Sequence, residues 1–369
     1  MLALGLAALS AQACRWRRGN EIVLGHLGAR TGDRAIWGED LHRGLELAVE
    51  QQNARGGING RKLRLVAVDD ESHEDRVTSL TARLIEREGA VVVFGELSSV
   101  VCERAAAAAQ RRSAVFIAPA CTARDVSRVG EFVFRTALTD NEQAEATARF
   151  ARQNLQKRKG AIMYRRSSLL HVGMADSFVR AFRAGGGEIV LRDSYADDAE
   201  LVRLVGRVRA AGAEVIYAPA DATDAGHVAV AVRQGRLGAQ ILGSDGWSSA
   251  EVRRFAQESI VGVRFTDAFS AVVARPEVEA FVTAFTERYR ARPGTFAALG
   301  YDAARWVIEK AARLPQLDSR ALRDSLAGSR LEDGVAGEFA VNASRALTRG
   351  VNVLRYTHDG VELDASAAP

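Results

Sequence analysis

The sequence contains few cysteines and little excess charge, and each shortage excludes a class of protein. Three cysteines among 369 residues are too few for the disulfide framework of a small secreted domain. The formal net charge is only +4, and the basic residues are interspersed with acids along the chain. Nucleic-acid-binding proteins usually concentrate their basic residues on one face, so we expect no nucleic-acid partner. A chain of this length is long enough to form two lobes, each with its own core.

The sequence motifs of common enzyme classes are also missing. There is no Gly-Lys pair for a phosphate-binding loop, and the glycine-rich "GHLGART" at 25–31 lacks dinucleotide-binding spacing. The six histidines and three cysteines form neither H-E-x-x-H nor C-x-x-C, and "GWSSA" lacks the second glycine of a nucleophile elbow. The sequence therefore predicts no catalytic set, no metal site and no cofactor, and we expect a protein that is not an enzyme.

The first fourteen residues, "MLALGLAALSAQAC", are small and apolar. They are too few to span a bilayer, and they resemble the apolar part of an export signal that lacks its basic beginning. Cleavage after Ala11-Gln12-Ala13 would release a periplasmic protein. Acylation of Cys14 would instead anchor a lipoprotein to the membrane. An apolar terminus without a targeting role is the third alternative, and we favour export in one of the first two forms.

Strand and helix patterns alternate along the chain from residue 20 onward. Apolar runs predict strands at 22–27, 63–68, 90–95 and 114–119, with amphipathic helices between them. The same alternation starts again after Arg135 and is followed by a long helical region, 276–327, and by short strands at 337–341 and 351–356. Two such series predict an α/β protein with two doubly wound, mainly parallel sheets, each covered on both faces.

Two aspartates, Asp69 and Asp70, end the second predicted strand. The carboxyl ends of parallel strands are where α/β folds place their ligands, so these acids could belong to a site. They also precede a predicted helix in "DDESHED", where acids complement the positive end of the helix dipole. The capping interpretation is the one we favour from the sequence.

Small hydroxyl residues follow other strand ends at the starts of helices. Ser98 and Ser99 occupy such a place in "FGELSSVVCERAA", and Thr122 occupies another in "FIAPACTARDV". A helix N-terminus binds anions through its backbone N–H groups and its dipole, although simple N-capping also explains Ser99 and Thr122. Asp245 follows a strand directly in "LGSDGWSS" and could accept hydrogen bonds from an ammonium group. An anion pocket on one lobe and an acid on the other would suit a zwitterion.

These segments together resemble the leucine/isoleucine/valine-type periplasmic binding proteins of ABC transporters. The opening "GHLGARTGDRAIWGEDLHRGLELAVEQQNARGGINGRKLRLVAVDDES" carries the resemblance, and "VFGELSSVV", "FIAPACTA", "VFRTALTDNEQ", "ILGSDGW" and "FAALGYDAARW" follow in the expected order. The resemblance implies a monomer of two Rossmann-like lobes, 20–136 plus 269–336 and 137–268 plus 337–363. It also implies three crossovers, hinge closure on a small ligand in a central cleft, and delivery to a membrane ABC permease.

The resemblance also implies roles for single residues. Ser99 and Thr122, with Ala120 and the neighbouring Ser98, match the positions that hold the ligand's carboxylate and ammonium group, and Asp245 matches the acid that takes the ammonium group. Asp69 and Asp70 would then lie near the cleft rim without contacting the ligand.

Two positions depart from the family pattern, and a third has two interpretations. Leu170 stands where an aromatic residue often covers the ligand. Asp221 replaces a tyrosine or glycine pattern, and it either faces the cleft and favours a polar or cationic ligand side chain or caps the following helix. Trp37 either lines the cleft from the first loop or packs in the scaffold.

Three functions remain to be compared. The first is transport of an amino acid or a related amine-carboxylate, and the second is sensing of amides or urea-like solutes with the same fold. The third is a two-lobed enzyme that acts on a nucleoside or sugar, which an export signal disfavours. The sequence identifies neither the ligand nor the redox state of Cys102 and Cys121, and we favour transport.

Overall fold

The computed structural model describes residues 21–122 and 126–367, so the predicted export segment and Cys14 lie outside the described residues. The first sheet has five parallel strands in the order β2-β1-β3-β4-β5. These strands are β1 (Glu21–Gly28), β2 (Lys62–Asp69), β3 (Val92–Phe94), β4 (Val115–Ala118) and β5 (Val133–Arg135).

Helices connect these strands and cover both faces of the first sheet. They are α1 (Ala35–Ala54), α2 (Val77–Glu86) and α3 (Ser99–Gln110). Apolar residues of α1 form a core on one face of the sheet, whereas α2 and α3 form a second core on the other face. Burial of apolar surface on two faces explains why these strands appear in the sequence as nearly continuous hydrophobic runs.

The chain then crosses to a second sheet of seven strands, in the order β15-β14-β10-β9-β8-β6-β7. Its first five strands along the chain are mutually parallel where they pair, whereas β14 and β15 are antiparallel additions at one edge. The strands are β6 (Lys159–Arg165), β7 (Glu188–Tyr195), β8 (Val215–Ala218), β9 (Gln240–Gly243), β10 (Arg264–Asp267), β14 (Val351–Tyr356) and β15 (Val361–Ala367).

Five helices accompany the second sheet, and two hydrophobic clusters cover its faces. The helices are α4 (Asp140–Gln153), α5 (Leu169–Ala184), α6 (Asp198–Ala210), α7 (Ala222–Gln234) and α8 (Ala250–Ala256). A single 3₁₀ turn, Asp245–Ser248, connects β9 to α8. The prediction of two doubly wound, mainly parallel sheets is confirmed.

The segment between β10 and β14 returns to the first sheet. It contains α9 (Pro276–Tyr289), α10 (Thr295–Ala312), α11 (Ser319–Leu326) and a small antiparallel sheet of β11 (Arg330–Leu331), β12 (Phe339–Val341) and β13 (Leu347–Arg349). Helix α10 packs closely on α1, because a Cβ added to Gly44 would lie only 1.9 Å from the carbonyl oxygen of Ala297.

The chain therefore passes between the two sheets three times, at 135–140, at 267–276 and at 349–351. Phe339, Val341 and Leu347 belong to the core of the first sheet. Our sequence-based lobe boundary at 336/337 would divide the small sheet. We propose instead that the second lobe takes up the chain again at Val351, after the third crossing.

Among the described residues, the helices are too short or too polar for any of them to cross a membrane.

Candidate functional site

The N-terminus of α3 offers uncapped backbone N–H groups at the carboxyl end of β3. Ser98 is the N-cap residue in an extended conformation (φ −68°, ψ 129°), yet its side chain makes no capping hydrogen bond. The backbone N–H of Ser98 itself donates to the Glu96 carboxylate. A first turn without a side-chain cap leaves its N–H groups available, and together with the helix dipole they can bind a carboxylate.

A continuous chain of contacts leads from this helix end to the second lobe. The Cys121 thiol lies 3.7 Å from the Ser99 hydroxyl, next to the buried Ala120. The following residue, Thr122, hydrogen-bonds through its side chain to the carboxylate of Asp140. Asp140 is the first residue of α4, so residues after β3 and β4 of the first lobe meet the start of the second lobe here.

Asp245 lies at the end of β9, where the 3₁₀ turn begins. Its carboxylate accepts hydrogen bonds from the Gln143 amide nitrogen at 3.4 Å and from the backbone N–H of Gly246. The side chain remains accessible to water although protein surrounds it on most sides, which is the situation of a carboxylate in a cleft. The surrounding protein raises the pKa of Asp245 above its usual range.

The backbone beside Asp245 is held close to the neighbouring strand end. A Cβ added to Gly246 would lie 2.0 Å from the carbonyl oxygen of Ala220, so only glycine allows this approach. Ser244 strengthens the same contact, because its hydroxyl lies 3.3 Å from the Ala220 oxygen. The turn that carries Asp245 is therefore fixed to the loop after β8.

Two further aspartates lie close enough to Asp245 to respond to its charge. Burial first, and then the Asp245 charge, raise the pKa of Asp140 to about 6. Burial also raises the pKa of Asp267 to about 6, with Asp245 adding to the rise. Asp267 accepts hydrogen bonds from the Thr295 hydroxyl at 2.9 Å and from the Ser248 side chain. We call Asp140, Asp245 and Asp267 the acidic cluster.

The structure brings the first group of predicted site residues together. Ser98, Ser99, Ala120 and Thr122 lie around the α3 N-terminus and the end of β4, and Asp245 joins them through Asp140. Residues 123–125 lie outside the described residues, so the capping interpretation of Thr122 is not tested.

The other predicted site residues are exposed to solvent. Asp221 is exposed and is the N-cap of α7, since it accepts a hydrogen bond from the backbone of Asp224 at 2.9 Å. Leu170 is 52 % exposed at the second position of α5. Trp37 is 51 % exposed near the start of α1, where its ring lies 6.4 Å from that of Phe296. Their roles in binding remain predictions.

The expectation that Asp69 and Asp70 cap the next helix is wrong. Helix α2 begins at Val77, without a side-chain cap and without an acid in its first turn. Asp69 instead accepts hydrogen bonds from the backbone N–H of Arg30 at 2.9 Å and from the Thr31 hydroxyl at 2.7 Å. These bonds fix the loop after β1, which explains why an acid ends β2.

The Asp70 side chain points into the protein interior, and both Asp70 and Glu96 are fully buried. Burial and the nearby Glu96 carboxylate raise the pKa of Asp70 to about 6. Arg34 pairs with Glu96 at 3.1 Å and partly compensates the two acids. This network lies directly behind the α3 N-terminus, because Glu96 also accepts the Ser98 N–H.

The sequence patterns predicted no role for Glu96, Asp140, Gln143 or Asp267. Asp140 and Gln143 lie in "TDNEQ", directly after the first crossing, and Asp267 ends β10 directly before the second. Acidic residues next to the two crossings were therefore the sequence feature that could have identified these site residues. Their meeting depends on how the lobes are joined, which local sequence patterns do not reveal.

Comparison with known proteins identifies related sequences. A family model described as "Periplasmic binding protein" matches residues 21–360. A curated relative, "Leu/Ile/Val-binding protein homolog 3" of Brucella melitensis biotype 1, is 30% identical over 253 residues, which are 68% of this chain and 68% of that protein.

Solved structures are similar over nearly the whole chain. A putative branched-chain amino acid ABC transporter protein from Rhodospirillum rubrum has a TM-score of 0.84 at 23% identity, covering 93% of this chain and 99% of its own. An ABC transporter substrate-binding protein of Desulfitobacterium hafniense, in complex with Leu, has a TM-score of 0.78 at 25% identity with the same coverage. The first similarity supports the fold alone, and the expected two-lobed architecture is confirmed.

Proposed function

This chain belongs to the periplasmic binding protein family, and we propose that it is the extracytoplasmic solute-binding protein of an ABC importer. It takes an amino acid or a related amine-carboxylate between its lobes and delivers it to a membrane permease. Relatives and structural neighbours carry names and titles of Leu/Ile/Val-binding and ABC transporter substrate-binding proteins, which supports this assignment.

One observation supports the proposal most strongly. Asp140 hydrogen-bonds to Thr122 of the first lobe and lies close enough to Asp245 of the second lobe for that charge to raise its pKa. The N–H donors for a ligand carboxylate and the Asp245 acceptor for an ammonium group are therefore neighbours. The uncapped N–H groups of α3 take the ligand carboxylate. Asp245, together with the Thr122 hydroxyl, takes the ammonium group. Closure of the lobes then removes both charges from water, which strengthens each interaction.

Export fits this function, because the acceptor of the ligand is a membrane permease that is approached from outside the cytoplasm. The leader that would direct export, and Cys14 as a lipid attachment site, belong to the part of the chain before residue 21. Binding requires no cofactor and no catalytic group in this account.

A thermal-shift screen of the purified protein tests the proposal. The protein is first unfolded and refolded to remove any co-purified solute, and it is then heated with amino acids, amides, polyamines and short organic acids. A ligand at about a hundred times its dissociation constant adds roughly 2.7 kcal/mol to the free energy of unfolding, which raises the melting temperature by several degrees. A response to no amino acid, with a clear response to an amide, would contradict amino-acid transport.

A further inference from the structure

Acidic side chains predominate where the second lobe faces the cleft. The acidic cluster lies there, and Asp221 adds another carboxylate at the N-terminus of α7. His171 lies among Asp221, Asp224 and Asp245, and burial keeps its pKa below the usual value, so it is neutral near pH 7. This part of the site therefore carries several negative charges and no charged histidine.

Two nearby arginines, Arg135 and Arg165, already pair with other acids. Arg135 pairs with Glu142 at 3.1 Å and also donates to the carbonyl oxygen of Ala137. Arg165 forms a bidentate ion pair with Asp224, in which its Nε and Nη2 both donate to the carboxylate. Within residues 21–122 and 126–367, no member of the acidic cluster takes part in an ion pair. One ligand ammonium group would balance only part of this charge.

Gln143 provides a second, independent indication of what the site accepts. It is only 8 % exposed, and its amide NH₂ donates to Asp245. The amide nitrogen of Gln143 faces Asp245, so the carbonyl oxygen of the same amide is left for a different partner. That buried oxygen has no hydrogen-bond partner among the described residues, and the same is true of the Tyr217 hydroxyl and His171 Nδ1.

Buried polar atoms are nearly always hydrogen-bonded in folded proteins, so an acceptor left without a donor indicates a group that arrives with the ligand. A neutral aliphatic side chain offers no donor and no charge. An ammonium or guanidinium group offers several donors and a positive charge. The combination of surplus carboxylates and an orphaned amide oxygen therefore selects against an aliphatic side chain.

We propose that the cleft selects an amino acid whose side chain carries a second positive charge, with the acidic cluster and the Gln143 carbonyl oxygen as its recognition elements. This inference rests on the proposed function, and it specifies the ligand class of the same site. It differs from the aliphatic ligand named for the leucine-bound neighbour.

The members of the acidic cluster act in two ways. Asp245 is accessible and Asp140 is partly accessible, so both can contact the cationic groups. Asp267 is 2 % exposed and is occupied by donors from Ser248 and Thr295, so it contributes its charge without touching the ligand. A cleft lined by charge of one sign concentrates ligands of the opposite sign.

Isothermal titration of the wild-type protein with three compounds is the primary test, and it does not depend on the stability of any variant. Lysine carries two ammonium groups and the carboxylate, norleucine has the same four-carbon side chain without its ammonium group, and cadaverine lacks the carboxylate. We expect lysine to bind about tenfold or more tightly than norleucine, the gain from one charge-assisted contact. We also expect lysine to bind more tightly than cadaverine.

Norleucine or leucine binding as tightly as lysine would overturn the inference and leave the proposed function intact. Cadaverine binding more tightly than lysine would also overturn it, since the ligand would be an amine without a carboxylate. If no amino acid bound at all, the proposed function itself would fail. The three results are therefore distinguishable.

Two variants and a matched control locate the selectivity. Asp140→Asn and Asp267→Asn should each reduce the preference for lysine over norleucine, because each removes an attraction that only the charged lysine side chain gains. Asp198→Asn removes an equal charge at the exposed start of α6, where the carboxylate contacts His227, and should leave the preference unchanged. An undiminished preference in both cluster variants would remove the cluster from recognition.

Discussion

At the scale of single residues, Asp245 is the group on which the proposed binding mode depends most, because water reaches its carboxylate while protein surrounds it on most sides. Its hydrogen bonds to Gln143 and Gly246 hold it in place without neutralising it. A carboxylate in a cleft that closes is costly when unpaired and strongly attracts a cation, so we propose that this one residue controls a large part of the ligand's binding free energy.

Asp245→Asn should weaken binding of the amino-acid ligand about 30-fold or more, because a charge-assisted hydrogen bond is replaced by a neutral one. Titration calorimetry measures the change. Asp318→Asn is the control, because Asp318 is the N-cap of α11, an element that contributes no residue to the proposed site, and asparagine caps a helix equally well. An Asp245→Asn protein with wild-type affinity would exclude Asp245 from the site.

Asp267 should leave a signature in the pH dependence of stability. Its pKa is raised to about 6 by burial, so the folded chain holds this proton more tightly than the unfolded chain does. The resulting stabilisation is present below about pH 4 and is lost as the pH rises towards 6. Relative to wild type, Asp267→Asn should therefore gain on the order of 2 kcal/mol in free energy of unfolding between pH 4 and pH 7.

Urea unfolding of the ligand-free wild type and variant across this pH range gives the difference directly. A difference that stays constant, or that falls with rising pH, would contradict the assignment of a raised pKa.

Candidate site residues could be proposed from the sequence where a local rule was sufficient, and their binding roles remain predictions. Asp245 could be found because it directly follows a buried strand, and Ser98 and Ser99 because they begin a helix. The capping interpretation of Asp70 failed because its buried neighbour, Glu96, comes from a different strand. Electrostatic neighbours of this kind are set by sheet order, which a single sequence does not specify.

At the scale of elements, α4 is the helix that connects the lobes and carries two site residues. Thr139 and Glu142 form a capping box at its start, with the Thr139 hydroxyl accepting from the Glu142 N–H at 3.1 Å and Glu142 accepting the Thr139 N–H at 2.7 Å. Arg135 at the end of β5 also pairs with Glu142, which fixes the helix to the first lobe. The positions of Asp140 and Gln143 follow from this cap.

Thr139→Ala should lower the free energy of unfolding by about 1 kcal/mol, the usual cost of losing a helix N-cap. It should also weaken ligand binding, because the first turn of α4 carries Asp140. Chemical unfolding and calorimetry measure the two effects. The control is Thr223→Ala at an exposed position of α7, which should change neither. Unaltered stability in Thr139→Ala would show that the cap does not hold α4.

Several helix starts were predictable, because a serine, threonine or aspartate occupies the N-cap position of α3, α4, α5, α6, α7, α8 and α11. Helices α1, α2, α9 and α10 begin after arginine or glycine and lack this signal. The end of the fold was less predictable. Strands were expected at 337–341 and 351–356, and both form, but β12 (Phe339–Val341) pairs within the small sheet of the first lobe whereas β14 joins the second sheet. Strand partners so far apart in the chain are not determined by local pattern.

At the scale of the whole molecule, hydrogen bonds link the three crossings. The Arg349 guanidinium donates to the carbonyl oxygens of Thr136 and Ala336, each at 2.7 Å, and lies 3.5 Å from the buried Asp302 carboxylate. Asn352 donates to the Ala268 oxygen at 3.3 Å, which connects the third crossing to the second. Lobe motion must therefore bend these segments together, as expected of a hinge.

Arg349→Ala should destabilise the protein by about 3–5 kcal/mol, because it leaves the Asp302 carboxylate buried without its partner. Burial raises the pKa of Asp302 to about 6 even with Arg349 present, which indicates how costly this charge is. Urea unfolding provides the measurement. Arg330→Ala removes an exposed arginine that pairs with Glu332 and serves as the control. Equal stability of the two variants would contradict a structural role for the buried pair.

The central claim is that a small amine-carboxylate lies between the lobes, and a crystal structure of the protein with the best ligand from the thermal screen tests it most directly. We predict electron density that contacts Asp245 on one side and the α3 N-terminus on the other, with the lobes closer together than in the ligand-free protein. Density elsewhere would contradict the account. One such place is the cavity of about 520 Å³ on the second lobe, lined by residues that include Arg233 and Arg264.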